Sequence, residues 1–319
     1  MIDENEVHPP PRVLVIRGGA IGDFILTLPA ISLLRESIPN VRIEILGYKP
    51  IVELAVSAGL AESVRSLEHG SMAKLFVPNA TLDSELLGYF RGFNLVVSYL
   101  YDPDGYFRGN MERIGVRTFL AASHHVEPGA GYAAVQLAKP LEKLAMYLSD
   151  PAPRIGFAVP VERSGRPIVA IHPGSGSLKK NWPVAHWSKL GREISEVFPH
   201  CRLALVTGEA EAERGVTKSM LEGWRGIEFI HWEQTPLTQL AANLSTCAAF
   251  LGHDSGISHL AAACGIPCLL LFGPTDSATW APRNAGVQVL SAAFGDVQRL
   301  PYEIVRAAAG ELIKGCRIK

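Results

Sequence analysis

The stretch RVLVIRGGAIGD, residues 12–23, decides the fold of this chain. It joins a short β-branched run to a glycine-rich turn, and a helix-length apolar segment follows at residues 24–36. The alternation of short strands with amphipathic segments recurs along the chain and is typical of parallel sheets with crossover helices. The sequence therefore predicts an α/β protein. Because ligands of such folds bind at the carboxyl ends of strands, a site is expected in the loops that follow strands.

This alternation occurs in two halves, and 319 residues suffice for two hydrophobic cores. Proline and glycine are concentrated at residues 149–167, a composition typical of a linker. We place the domain boundary there, giving domains at residues 1–157 and 158–319, with a final helix that begins near Pro301. The predicted strands are 12–17, 41–46, 64–66, 93–98 and 116–120 in the first half, and 168–171, 202–207, 228–230, 249–251, 268–272 and 287–290 in the second.

Composition excludes several classes of function. Lys plus Arg number 30 and Asp plus Glu 31, so the chain lacks the excess of positive charge that binds the phosphates of nucleic acids. The five cysteines form no Cys-x-x-Cys pair and indicate reduced thiols. Residues 1–11 do not resemble a secretory signal, and the most apolar stretch, 260–272, is too short to span a bilayer. We therefore expect a cytoplasmic protein whose only membrane contact would be peripheral.

The first candidate loop follows the opening strand and contains Gly18, Gly19, Gly22 and Asp23. Glycines allow a tight turn and close approach of a ligand to backbone N–H groups. The spacing differs from the G-x-G-x-x-G of dinucleotide sites, which argues against a nicotinamide cofactor. Asp23 has two interpretations: a functional carboxylate, or a cap that accepts hydrogen bonds at the start of the following helix.

The second candidate loop follows the first strand of the second half and reads HPGSGSLKKNWP, residues 172–183. Its small residues, its hydroxyl groups and its two lysines, Lys179 and Lys180, suit a diphosphate. No Walker motif can be drawn through it. The alternative is an ordinary solvated turn.

The third candidate loop, GHDSGISH at residues 252–259, opens a helix, and the free amides of a helix start favour an anion such as a pyrophosphate. The candidates are Asp254, Ser255, Gly256 and His259. Two other chemistries fit this loop less well. A Ser255–His259 hydrolase lacks the G-x-S-x-G turn and an identifiable acid, and a zinc site that adds His253 lacks the spacing of known motifs.

Two further segments carry weaker signals. The turn at residues 208–211 holds Glu209 and Glu211, either of which would suit the hydroxyl groups of a ribose; a solvent-facing helix start explains them equally well. The pair His124 and His125 and the segment 108–117 would suit a second substrate, and surface polarity explains them as well.

Taken in order, the motifs resemble glycosyltransferase family 9, the ADP-heptose lipopolysaccharide heptosyltransferases. The resemblance rests on the motifs of the first strand and its loop, the HPG and Lys-Asn-Trp-Pro elements, and the two late loops. These stretches are 13–17, 22–23, 28–29, 172–174, 180–183, 254–259 and 273–276.

The resemblance implies a GT-B fold, in which two Rossmann-like domains with parallel sheets face each other across a cleft. The N-terminal domain would bind the acceptor and the C-terminal domain the nucleotide-sugar, with the last helix packing back on the N-terminal domain. It further implies an inverting transfer in which Asp23 is the general base and Lys180 stabilises the diphosphate leaving group.

By the same resemblance, the donor site would comprise Gly174, Ser175, Ser177, Glu209, Asp254, Ser255, Gly256 and His259, and the acceptor-side loop Gly18, Gly19 and Gly22. No metal ligand and no obligatory cofactor are expected, and Mg²⁺ would enter only with the nucleotide diphosphate. The expected partners are ADP-heptose and a glycan or glycolipid acceptor. Two alternatives are a non-catalytic nucleotide-sugar binding protein and a GT-B-like nucleotide-sugar epimerase.

Overall fold

The computed structural model describes residues 9–156 and 165–315, and within them it contains two parallel sheets flanked by helices. The strands are β1 Arg12–Arg17, β2 Arg42–Gly47, β3 Ser63–Ser66, β4 Leu95–Ser98, β5 Phe119–Ala121, β6 Ile168–His172, β7 Arg202–Thr207, β8 Phe229–Glu233, β9 Ala249–His253, β10 Cys268–Phe272 and β11 Val287–Ser291. The α-helices are α1 Ile21–Ser37, α2 Lys49–Ser57, α3 Ser84–Arg91, α4 Tyr106–Ile114, α5 Ala133–Ala138, α6 Val184–Val197, α7 Glu209–Glu213, α8 Val216–Gly223, α9 Leu237–Ser245, α10 Gly256–Ala263, α11 Ser277–Trp280 and α12 Tyr302–Gly315.

The first sheet has the order β3-β2-β1-β4-β5 and the second β11-β10-β9-β6-β7-β8, with every neighbouring pair parallel. Each order reverses beside its own first strand, between β1 and β4 in one sheet and between β6 and β9 in the other. Loops at such a reversal diverge and leave a crevice for a ligand. The three candidate loops follow β1, β6 and β9, so all of them lie at the two crevices.

The predicted α/β architecture is confirmed, and every predicted strand is present. The differences are shifts of a few residues at the ends, because pairing between strands and not local composition sets where a strand stops. The fourth and fifth strands begin later than predicted, at Leu95 and Phe119. The ninth strand continues through Gly252 to His253, so these two residues belong to the sheet and not to the third candidate loop.

The two halves pack on each other through the helices that follow β1 and β9. Helices α1 and α10 are in contact, and one continuous apolar core contains buried side chains from both, among them Phe24, Leu28 and Leu260. The chain reaches the second half before residue 156: Ile155 N–H donates to Ala263 O over 2.8 Å, and Asn284 Nδ2 donates to Pro153 O. The boundary placed between 157 and 158 lies outside the described residues.

The last helix differs from expectation. The described part of α12 packs against α6, β9 and β10 of the second half, where Val305, Ala309, Leu312 and Ile313 are buried in the core on the outer face of that sheet. Sequence similarity predicted a return to the N-terminal domain. The amphipathic face of α12 is instead covered by its own sheet, which leaves residues 302–315 no apolar stripe to bring to the other half.

Candidate active site

Two neighbouring cavities open where the carboxyl ends of the sheets meet. The smaller, of about 240 Å³, is lined by Asp23 and Gly22 of the first half and by Lys180, Asp254 and His259 of the second. The larger, of about 450 Å³, is bordered mainly by the second half. Both are lined by Ala20, Gly22, Gly176, Ser255 and Gly256. The two cavities therefore meet at the starts of α1 and α10.

Asp23 lies in the first turn of α1, with its carboxylate turned back toward the glycine-rich loop. Its Oδ2 accepts a hydrogen bond from Ala20 N–H over 3.1 Å, and its Oδ1 lies 3.8 Å from Arg17 Nη2. The Asp23 side chain is 34% exposed and lines the smaller cavity. The capping interpretation of Asp23 is correct in part: the carboxylate holds one amide of the helix start, and its other oxygen remains beside the cavity.

Arg17, the last residue of β1, places its guanidinium beside the Asp23 carboxylate. Its side chain is buried, its Nη1 donates to His124 O over 3.5 Å, and its guanidinium lies over the ring of Tyr99 at 5.4 Å. Burial lowers the pKa of Arg17 from its ordinary value, and the charge of Asp23 opposes that shift. The buried cation lies beside one oxygen of the Asp23 carboxylate and helps to fix its direction. The sequence did not identify Arg17 as a site residue, because a sequence does not show in which direction the side chain at the end of a strand points.

Lys180 and Asp254 form an ion pair in the wall that the second half contributes to the smaller cavity. Lys180 Nζ donates to Asp254 Oδ2 over 2.6 Å, and the Asp254 side chain is only 7% exposed. The neighbouring Lys179 is exposed and lines neither cavity. The structure therefore separates the two lysines and brings Lys180 to the site.

His259 lies on the first turns of α10 at the contact between the halves. Burial lowers its pKa to about 4, while the charges of Asp254 and Asp23 oppose the shift. Its ring is therefore neutral at pH 7. The buried Nδ1 has no hydrogen-bond partner among the described residues. The neutral His259 ring thus lines the smaller cavity, while its Nδ1 is buried in the protein.

His253, at the end of β9, holds the second candidate loop in place. Its Nε2 accepts from the backbone N–H of Trp182 over 2.7 Å and from the indole N–H of Trp187 over 3.1 Å, and its Nδ1 lies 3.3 Å from Gly174 O. Two donors on Nε2 place the proton on Nδ1. Burial lowers the pKa of His253 to about 3, so the ring stays neutral. The zinc interpretation is wrong for His253, because both ring nitrogens are already engaged.

In the second loop, the hydroxyl group of Ser175 makes hydrogen bonds within the loop itself. Ser175 Oγ is buried, donates to Ser177 O over 2.8 Å and receives Ser177 N–H. Arg214 donates to Ser175 O over 2.7 Å and to Gly176 O over 3.3 Å. Gly176 and Ser177 reach the smaller cavity. The loop is thus a rigid turn, and its exposed part begins at Gly176.

The structure distinguishes the two glutamates after β7. Glu209 is exposed at the rim of the larger cavity, whereas Glu211 is buried under the second loop. Glu211 Oε2 accepts from Gly208 N–H over 2.8 Å and lies 3.7 Å from His172 Nε2. Burial acts to raise the pKa of Glu211, but His172 and the Gly208 amide lower it to about 2. A β carbon at Gly174 would overlap the Glu211 carboxyl group, which explains the glycine there.

Ser255 begins α10, and its Oγ accepts from Ser258 N–H over 3.3 Å. The histidine beside this hydroxyl is not His259, as the hydrolase interpretation required, but His172, whose Nδ1 lies 3.4 Å away. That separation and the 3.7 Å from His172 to Glu211 exceed the usual 2.6–3.2 Å reach of a catalytic relay. Ser255 is therefore a helix cap, and the amides that follow it face the junction of the cavities.

Glycines in the first and third loops allow three close approaches. Gly19 has φ +102°, a conformation that favours glycine, and a β carbon there would lie 3.2 Å from Asp23 Oδ2. At the contact between halves, a β carbon on Gly256 would lie 2.7 Å from Ile21 Cβ. A β carbon on Gly22 would lie 3.3 Å from His259 Cδ2. Gly18 is less constrained, with Tyr48 and Leu67 at 3.8 Å.

Residues 9–156 and 165–315 contain no group of three or more His, Cys, Asp or Glu side chains arranged to hold a metal ion. Within the same residues, no helix is long and apolar enough to cross a membrane.

Known proteins are similar to this chain in sequence and in structure. The family model described as glycosyltransferase family 9 (heptosyltransferase) matches residues 113–303. The lipopolysaccharide heptosyltransferase 1 of Pseudomonas aeruginosa is 25% identical over 289 residues, which cover 83% of this chain and 79% of that protein.

Solved structures share the fold. A glycosyltransferase family 9 protein from Veillonella parvula superposes with a TM-score of 0.77 at 17% identity, covering 96% of this chain and 97% of its own. The E. coli heptosyltransferase WaaC with ADP gives a TM-score of 0.73 at 16% identity, covering 94% and 99%. The expected GT-B architecture of two parallel-sheet domains is confirmed.

Proposed function

Because the chain belongs to glycosyltransferase family 9, the heptosyltransferases, we propose that it transfers heptose from ADP-heptose to a lipopolysaccharide-core or related glycan acceptor. One observation carries the proposal: Asp23 from one half and Lys180 with Asp254 from the other line a single cavity of about 240 Å³. A base from one half and a charge-stabilising cation from the other are suited to displacement at an anomeric carbon.

The nucleotide of the donor is assigned to the larger cavity. Its walls include the apolar side chains of Val206, Trp232 and Leu237, which suit a purine ring, and the carboxylate of Glu209 at the rim, which suits ribose hydroxyls. Ile51 of the first half also borders this cavity, so both halves enclose the nucleoside. The E. coli structure that superposes on this chain contains ADP.

The diphosphate would then lie at the junction of the cavities. The start of α10, at Gly256, and the start of α1 line this region, and the free backbone amides of helix starts favour negative charge. Lys180 would approach from the smaller cavity. Its ion pair with Asp254 holds the ammonium in position, and the charge that grows on ADP as the bond breaks would attract it.

The reaction follows from this placement. The acceptor hydroxyl attacks the anomeric carbon from the Asp23 side, Asp23 takes its proton, and the bond from that carbon to the phosphate oxygen breaks with its electron pair passing to ADP. Attack from the face opposite the leaving group inverts the anomeric centre. We assign sugar hydroxyls to Asp254 and His259, which both line the smaller cavity. No step is assigned to a metal ion, and Mg²⁺ would accompany the diphosphate.

We propose that the protein works on the cytoplasmic side, where nucleotide-sugars are made, with any contact to a membrane confined to its surface. A binding protein without activity is the competing function. Incubation with ADP-heptose separates the two: the enzyme releases ADP at a rate that rises when lipopolysaccharide-core acceptor is added, and mass spectrometry finds the acceptor heavier by one heptose. Tight donor binding without ADP release in any acceptor would contradict the proposal.

A further inference from the structure

The larger cavity extends across the carboxyl ends of four neighbouring strands of the second sheet. Its lining follows the strand order: Ser255 comes after β9, Gly176 after β6, Glu209 after β7 and Gln234 after β8. Three strand spacings separate β9 from β8, a distance of about 14 Å. With the diphosphate at the start of α10 and the ribose at Glu209, the base of the nucleotide therefore reaches the loop that follows β8.

Three polar side chains line this end of the cavity: Trp232, Gln234 and Thr235. The indole of Trp232 offers one donor and Thr235 one hydroxyl group, whereas the amide of Gln234 carries a donor and an acceptor side by side. The hydroxyl group of Thr207, at the end of β7, is already 2.8 Å from His231 Nε2. The Gln234 side chain is exposed, and its amide makes no hydrogen bond with any other residue of 9–156 or 165–315. It is therefore free to bind the edge of a base.

The backbone at Gln234 has a conformation that glutamine rarely adopts. Its φ is +45°, in the left-handed region. Its N–H donates to Thr207 O over 2.9 Å, and Pro236 precedes α9 two residues later. Four other non-glycine residues with positive φ occur in the described part of the chain, and none of them lines either cavity. Because glycine would adopt this turn without strain, a glutamine here indicates a role for its side chain.

We propose, building on the proposed function, that Gln234 selects adenine as the base of the donor nucleotide. The adenine amino group at N6 donates to Gln234 Oε1, and Gln234 Nε2 donates to adenine N7, the pair of contacts by which glutamine recognises adenine in DNA. Guanine presents two acceptors, O6 and N7, on the same edge, so O6 would face Gln234 Oε1 without a hydrogen bond. Gln234 therefore distinguishes ADP from other nucleoside diphosphates.

Calorimetric titration with ADP, GDP and 7-deaza-ADP tests this assignment without turnover. The parent should bind ADP at least about tenfold more tightly than GDP, the scale of one bidentate contact to a base. The analogue 7-deaza-ADP has a C–H group in place of N7, so it should bind about fivefold more weakly than ADP because one hydrogen bond is lost. Gln234→Ala should bind all three nucleotides with nearly equal affinity, since neither contact remains.

Two further variants separate recognition of the base from the shape of the turn. Gln234→Gly adopts the left-handed backbone without strain, so it should keep the turn intact and lose the preference for ADP as Gln234→Ala does. Gln239→Ala is the matched control, because Gln239 is an exposed glutamine on α9 that lines neither cavity. It should retain the parent's preference for ADP over GDP.

Equal binding of ADP and GDP to the parent would overturn the proposal. So would an unchanged preference for ADP in the two Gln234 variants, or equal binding of ADP and 7-deaza-ADP to the parent. If Gln234 sets the preference for ADP but no heptose is transferred from ADP-heptose, the proposed reaction fails and the assignment of the base stands.

Discussion

Lys180 and Asp254 are 74 residues apart in the chain, yet Lys180 Nζ and Asp254 Oδ2 are separated by 2.6 Å. The first follows β6 and the second follows β9, and these strands are adjacent at the reversal of the second sheet. The ion pair is therefore a direct consequence of the strand order in the second sheet. It also gives the site a cation whose position is fixed before any phosphate binds.

Replacing that cation should weaken nucleotide binding. Lys180→Ala removes a charged donor and leaves Asp254 unpaired next to the diphosphate, so ADP should bind roughly 10- to 100-fold more weakly, the scale of one charged hydrogen bond. Lys179→Ala is the matched control, because Lys179 is exposed and lines neither cavity. Calorimetric titration with ADP compares them. Equal affinities for the parent and Lys180→Ala would remove Lys180 from the phosphate site.

Asp23→Asn tests the base. Asparagine retains an oxygen that can accept the Ala20 amide, so the start of α1 should stay intact, but it cannot take a proton. Transfer should fall by at least 10²-fold. ADP affinity should be unchanged, and the free energy of unfolding should fall by about 1 kcal/mol or less, since Asp23 is partly exposed. Retention of more than about a tenth of the rate would show that another group is the base.

Gly256→Ala tests the contact between the halves. The new methyl group would lie 2.7 Å from Ile21 Cβ, so the starts of α1 and α10 must move apart. Because Asp23 and Lys180 belong to different halves, a shift on the order of 1 Å should lower the rate about 10²-fold. Gly310→Ala on α12, where a β carbon meets nothing within 4 Å, is the control and should retain full activity. Unchanged activity in Gly256→Ala would show that the rate does not depend on the separation of the two halves in this structure.

Stability should fall as the pH is lowered from neutral. The pKa values of His253 and His259 are about 3 and about 4 in the folded protein, below the ordinary 6.5. Below pH 6.5 the unfolded chain therefore binds protons that the folded protein does not. Each histidine then removes up to about 1.4 kcal/mol per pH unit until its folded pKa is reached. Glu211, with a pKa of about 2 against 4.5, acts in the same direction at lower pH.

Urea denaturation at pH 7, 6 and 5 measures this dependence. His259→Gln should reduce the slope between pH 6.5 and 4, because one of the titrating groups is gone, whatever its effect on stability at pH 7. A parent protein that is equally stable at pH 7 and pH 5 would show that these histidines do not remain neutral in the fold.

The sequence by itself determined the two parallel sheets and the loops that carry the site. Runs of β-branched residues followed by glycine-rich turns are local signals, and they located every strand to within a few residues. They also located the loops that hold Asp23, Lys180 and Asp254, because a parallel sheet brings its strand ends to one edge whatever the details of packing. The resemblance to glycosyltransferase family 9 singled out these three residues within the loops.

Only the tertiary structure decided what each side chain does there. Arg17 lies beside Asp23, and His253 holds the second candidate loop through the Trp182 amide. Glu211 is buried near His172, whereas Glu209 is exposed. The last helix packs on its own sheet. Each outcome depends on a partner far away in the chain, and burial and charge act through space, so no local pattern of residues could have specified them.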